Sequence, residues 1–212
     1  GYTKGGKGGN GGNIIINGGI VEVGSITSGS GGSGGSSSAG RNGNDGIVVS
    51  IVINTGIVFQ GNSGQVYGAR ATLSENFAIP AGKTLTIVSG KTLIILQGKN
   101  LTVSEGATLT SSGTISNSGK IYVDGTFTGT ADNLYYPLTI VNATAYGDTS
   151  EYNSKNYGKA GSPITLSVTP QAGKIITWDS SPSVNISGNS FIMPKEALIV
   201  TAKWTECTHP GE

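Results

Sequence analysis

The chain has 212 residues, with 13 Lys and Arg against 12 Asp and Glu and a formal net charge of +1. It therefore lacks the basic field that nucleic-acid binding requires, and no 18-residue apolar run offers a membrane-spanning helix. Glycine reaches 36 residues without a collagen-like period of three, and the single cysteine, Cys207, has no internal partner for a disulfide.

Residues 1–46 are glycine-rich, and that composition alone reads as a flexible linker. The opening Gly1-Tyr2-Thr3-Lys4 reads as the cut edge of a longer multidomain chain. Two apolar islands interrupt the glycine, 13–23 and 46–59, each read as a strand, an Asn-Gly-Gly or Asn-Thr-Gly corner, and a second strand. Ile15 and Ile53 stand too far apart along the chain for one plain coil. The stretch at about 25–45 is accordingly read as a Gly/Ser loop thrown out of an otherwise continuous solenoid. The alternative is a disordered linker carrying two sticky strands.

From Gly82 to Thr130 one short sentence repeats. Gly82, Gly90, Gly98 and Gly106 are 8 residues apart, and Gly113, Gly119 and Gly125 follow at spacings of 7, 6 and 6. After each glycine the apolar residues fall two apart: Leu85/Ile87, Leu93/Ile95, Leu101/Val103, Ile121/Val123. That is the strand period, on residues that favour a pleated surface. One such unit cannot bury its own apolar face, but stacked units can. Three units of 8 give a 24-residue, three-sided coil, with Leu85, Leu93 and Leu101 all directed into one core. A run of hairpins is the competing arrangement. It would need more Asn-Gly or Asp-Gly turns than the single Asp124-Gly125 in this stretch. Thr-x-Thr pairs, the grid an ice-binding face would need, are read at Thr84-Leu-Thr86 and Thr108-Leu-Thr110 only.

At 130–137 glycine thins and aromatics arrive. Strands are predicted at 138–145, 164–170, 174–178, 184–186, 190–193 and 198–204. Trp204 ends the alternating run Leu198, Val200, Ala202 and is expected in the core. Trp178, at a strand end beside a loop, is expected to be the more accessible tryptophan. The expected fold is all-β: a right-handed parallel β-helix over 1–132, a small β-sandwich or β-grasp-like module over 133–205, and a linker or tail over 206–212.

Two resemblances bear on function. Gly12-Asn-Ile-Ile-Ile-Asn-Gly-Gly-Ile-Val, the Gly/Ser tract, Gly46-Ile-Val-Val-Ser-Ile-Val-Ile-Asn-Thr-Gly and Leu73-Ser-Glu-Asn-Phe-Ala-Ile-Pro-Ala-Gly-Lys-Thr-Leu resemble glycine-rich repeats of large surface proteins from gut-type bacteria. That pattern implies a solenoid with an adhesive or carbohydrate-binding role. Ala160-Gly-Ser-Pro-Ile-Thr-Leu-Ser-Val-Thr-Pro-Gln-Ala-Gly173 and Phe191-Ile-Met-Pro-Lys-Glu-Ala-Leu-Ile-Val-Thr-Ala-Lys-Trp204 resemble the bacterial repeat module related to internalin B-repeats. This second resemblance implies a spacer or adhesive bead, recurring in tandem outside the cell, with no catalytic residues to carry over.

The search for chemistry returns mostly absences. Glu22, Asp45, Glu75, Glu105, Asp124 and Asp132 show no i, i+2 pair such as a glycosidase's two carboxylates would need. Glu105 and Asp124 could meet between stacked coils, but an isolated surface charge is the better reading. Arg41 and Arg70 read as solvated. Cys207-Thr-His209 supplies two of the three or four ligands that zinc needs, and Asn42-Gly-Asn44-Asp45-Gly46 reads as an ordinary turn rather than a calcium loop. No catalytic residue, metal or cofactor is expected. The candidate ligand-binding residues are Trp178, Tyr146, Tyr152 and Tyr157, as stacking platforms. The expected function is that of a non-catalytic, extracellular, structural or adhesive segment of a bacterial surface protein. Host or bacterial glycans or surface proteins are its expected partners. A carbohydrate-binding module is the alternative, and a fragment of a β-helix polysaccharide lyase or hydrolase the second.

Overall fold

A computed structural model describes residues 13–23 and 50–207. The expected Gly/Ser loop, Arg41, the turn at Asn42 to Gly46 and His209 lie outside the described residues. Within them every regular element is a strand. β1 (Asn13–Val23) and β2 (Ser50–Gln60) pair in parallel, Asn13 opposite Ser50. Each apolar island is thus one long strand rather than two short ones, its corner surviving as a slip in register around Asn17. A two-residue turn at Gly61-Asn62 then reverses the chain into β3 (Ser63–Tyr67), which runs antiparallel to β2.

From β3 onward the chain coils. β4 (Arg70–Leu73), β5 (Phe77–Ile79), β6 (Thr84–Ile87), β7 (Thr92–Ile95), β8 (Asn100–Val103), β9 (Thr108–Ser111), β10 (Thr114–Asn117), β11 (Lys120–Val123) and β12 (Thr126–Thr128) follow in turn. They stack in parallel on three faces: β3-β6-β9-β12, β4-β7-β10 and β5-β8-β11. Leu85, Leu93 and Leu101 fall on one face each, and all three are completely buried. Each such leucine contributes about 1.5–3 kcal/mol by leaving water.

Two kinds of corner set the length of a coil. In the eight-residue units the amides of Lys83, Lys91, Lys99 and Ala107 donate to the carbonyls of Pro80, Val88, Leu96 and Ser104 at 2.8–3.1 Å. The glycine at the third position of each turn has φ of 74–77°, as a type II turn demands. In the shorter units the glycine serves close approach instead. A Cβ on Gly119 would stand 2.0 Å from the Lys99 carbonyl oxygen, and one on Gly125 2.3 Å from that of Ser104. The coil narrows accordingly. Thr84 pairs with Thr108 one full coil on, whereas Thr108 already meets its own partner at Thr126. On the third face Leu101 pairs with Ile121, and the step from Ile121 to Leu134 is shorter again.

That last partner opens β13 (Leu134–Val141), which continues the third face and enters the second region without a break. The remaining strands are β14 (Thr144–Gly147), β15 (Thr149–Tyr152), β16 (Lys155–Lys159), β17 (Pro163–Ser167), β18 (Lys174–Ser181), β19 (Ser190–Ile192) and β20 (Leu198–Glu206). β13 pairs with β16 along its first half and in parallel with β20 along its second, and β18 lies outside β20. A second sheet, β14-β17-β19, closes over them. One core runs from Leu85 and Ile121 through Leu138 to Ile164, Phe191 and Val200. Residues 184–186, expected as a strand, form none, and β14 to β16 arise largely where no strand was expected.

Candidate functional site

The aromatic residues singled out from sequence divide between two places. Tyr152 and Tyr157 join Tyr122 and Tyr135 in a cluster on the outer side of the third face. Strand alternation places it there: Ile121 and Val123 of β11 face the core, so Tyr122 faces out. The β15–β16 hairpin folds over that outer side. Its turn, Asn153-Ser154, has φ of 49° and 59°, the mirror-image geometry that matches the twist of two paired strands.

Tyr122 is the hub. Its ring stacks on Tyr152 with centroids 4.3 Å apart and planes 4° from parallel, and packs tilted against Tyr157 at 4.8 Å and Tyr135 at 5.7 Å. Such pairs are worth about 0.5–1.5 kcal/mol each beyond the area they bury. The polar rim is paired across the same seam. Ser150 Oγ lies 2.9 Å from Tyr122 Oη and accepts from Lys120 Nζ at 2.8 Å. Lys120 also stands over the Tyr135 ring, 5.0 Å from its centroid. Tyr157 Oη donates to Asp124 with both carboxylate oxygens in reach, at 3.0 and 3.1 Å, and Lys155 Nζ sits 3.3 Å from the same group. Burial first, and then the Asp124 charge, push the Tyr157 hydroxyl far above its ordinary value. Burial and the Asp148 charge raise Tyr135. Thr102, beside Tyr122 on β8, is buried with no partner for its Oγ1.

Tyr157 is 1% exposed and offers no face to a ligand. Tyr152 has one face covered by Tyr122. Tyr146, on β14, is 57% exposed and remains open. Trp178 is half-buried against the core, mid-strand opposite Ala202, because β18 runs on to Ser181. Its Nε1 donates to Asn189 Oδ1 at 2.9 Å. Trp204, expected in the core, is only half-buried: Leu198, Val200 and Ala202 keep the predicted phase, but β20 outruns the core before Trp204. Glu105 stays exposed on its corner, while Asp124 turns to Tyr157 and Lys155. Among the described residues no three His, Cys, Asp or Glu side chains stand together as a metal site would require.

A shallow cleft of about 390 Å³ lies on another side of the same junction, between the end of β10 and the loop after β19. The profile of the divergent InlB B-repeat domain family matches residues 136–208. The match covers the second region, not the solenoid. No curated protein and no solved structure matches the chain. The chain therefore carries a region similar to a bacterial surface repeat, and this repeat module is built onto a solenoid end through β13 and the tyrosine seam. Sequence reasoning missed Tyr122 and Asp124 as members of the seam. The signal was the outward phase of β11 facing a Tyr-rich hairpin.

Proposed function

We propose that the chain is a non-catalytic structural and adhesive segment of a bacterial surface protein, working outside the cell. One observation carries the reading: β13 belongs to both the solenoid face and the repeat module, and the tyrosine seam clamps the two beside it. A shared strand and a shared core leave no hinge at the junction. The module is thereby held at a fixed angle on a stiff rod, which suits a part that projects a surface from a cell. Modest affinity for a repeating polymer, multiplied over tandem copies, would suit such a part. The family match to a bacterial repeat supports the setting.

The non-catalytic reading rests on how the carboxylates are used. Asp124, the acid set among aromatic rings, is held by Tyr157 and Lys155 rather than facing a second acid. Small-angle scattering with a thermal melt tests the rod: one cooperative transition and one rigid envelope are expected. A module that melts before the solenoid would overturn the reading. Incubation with pectins, xylans, mucin glycans and peptidoglycan, with and without calcium, tests catalysis. New reducing ends or unsaturated products that vanish in Asp124→Asn or Glu105→Gln would make it an enzyme. The carbohydrate-binding alternative has one observation in its favour: Tyr146 and Ile192, both more than half exposed, lie on the open side of β14-β17-β19.

A further inference from the structure

We propose that the cleft beside the last coil binds the carboxylate of an acidic sugar, a uronate or sialate residue of a glycan. The inference names a ligand class for the adhesive part of the reading above, and rests on it in that respect only.

Four separate segments converge on the cleft: the end of β10, the crossover 129–133, the end of β16 and the loop after β19. Its volume of about 390 Å³ falls in the range of small-ligand sites, roughly 300–1,000 Å³. The lining is mainly polar, with Ala131, Leu134 and Ala160 as its apolar members, and two ammonium groups, Lys159 and Lys195, stand on the module side. Lys195 is exposed and has no ion pair or hydrogen bond among the described residues. Lys159 Nζ lies 3.9 Å from Asp148 Oδ2, but that oxygen already accepts from Ser162 Oγ at 2.7 Å. Lys159 therefore keeps donors for a second acceptor.

The solenoid side completes the chemistry. Asn117 is spent on the wall, donating through Nδ2 to the Asp132 carbonyl and accepting from the Gly119 amide. The Asp132 carboxylate stays exposed on the rim. A ligand charged along its whole length, such as a nucleic acid, would meet Asp132 as well as the lysines. A sugar with one carboxylate meets each group correctly. Its carboxylate faces Lys159 and Lys195, its apolar ring face rests on Ala131 and Ala160, and its hydroxyls donate to Asp132.

The test is a titration of the full chain, by isothermal calorimetry and amide chemical shifts, with methyl galacturonoside and sialyllactose. Methyl galactoside and lactose are the neutral controls. Binding of at least one acid, lost with added salt, is expected. Lys195→Met and Lys159→Met should each weaken it about tenfold, the scale of one charge-assisted hydrogen bond at ~1.4 kcal/mol. Unchanged thermal melts would show that both variants fold. Equal binding of acid and neutral sugars, no binding of either acid, or full affinity in both lysine variants overturns the inference. An extended rod that binds neither acid overturns this inference alone, whereas a junction that bends in scattering overturns the structural reading alone.

Discussion

Gly119→Ala against Gly98→Ala separates the two kinds of corner. At Gly98 a Cβ would meet nothing within 4 Å, and the only strain is φ of 74°. An L-residue in that left-handed conformation costs about 1–2 kcal/mol. At Gly119 the backbone is unstrained, but the added Cβ would stand 2.0 Å from the Lys99 oxygen, 2.7 Å from that of Leu96 and 3.0 Å from Ile95 Cγ2. Two of those three are backbone atoms of the coil beneath and have no rotamer to escape through. Restoring ordinary contact means lifting the corner, which breaks the bonds from Lys120 N to Lys99 O at 3.1 Å and from Ser118 N to Ile95 O at 2.9 Å. Two backbone bonds lost, with their groups still shielded from water, cost about 1–3 kcal/mol each. Gly119→Ala is therefore expected to destabilise by about 2–6 kcal/mol and to exceed Gly98→Ala clearly. Urea melts with an unchanged slope measure both. If Gly98→Ala cost as much as Gly119→Ala, the argument from close approach would be wrong.

Leu93→Ala should cost about 2–5 kcal/mol in the same melts, as large-to-small core changes do, and a loss under ~1 kcal/mol would remove the coil register. Thr102→Val should stabilise the chain by about 1–3 kcal/mol, because it replaces a buried hydroxyl that has no partner. Any loss of stability would mean that Oγ1 is satisfied after all. Tyr157→Phe removes the bond to Asp124 and should cost about 1.5–3 kcal/mol, the worth of a hydrogen bond to a charged group. The raised Tyr157 value also predicts an alkaline limit. Its stabilisation is complete below the ordinary tyrosine value of 10.0 and fades above it, as the unfolded chain ionises and the folded one does not. A stability curve flat to high pH in the native chain, or equally steep in Tyr157→Phe, would contradict this.

The solenoid was legible because its rules are local. A glycine at each evenly spaced corner and an apolar residue on alternate positions are enough to place Leu85, Leu93 and Leu101 inside. What escaped was whatever depends on a distant partner. Residues 144–159 look polar and irregular until Tyr152 and Tyr157 meet Tyr122, although Asn153-Ser154 was a readable hairpin signal. Trp204 continues a correct alternation past the point where neighbours cease to cover it. The third Thr-x-Thr rank, Thr126-Phe-Thr128, lies in register on Thr108 and Thr110. A search at a constant interval overlooks it because the coil has by then shortened. Direction was the other loss: apolar strands either side of Gly61-Asn62 do not announce that the first runs against all the coils that follow.

The progressive shortening of the coils has a consequence for how these chains behave when crowded. A solenoid of uniform rungs ends in an edge that can seed the next identical rung, so its ends are sticky in the manner of a growing fibril. Here the final rung no longer shares the length of those before it, and on the third face its continuation is taken by β13 of the same chain, while β12 and β10 are the last strands of the other two faces. A neighbouring molecule arriving at that end meets a third face already filled and a coil shorter than those before it. Head-to-tail zippering through that end is thus disfavoured, by tapering the rod and filling one face instead of spending charged residues on a cap.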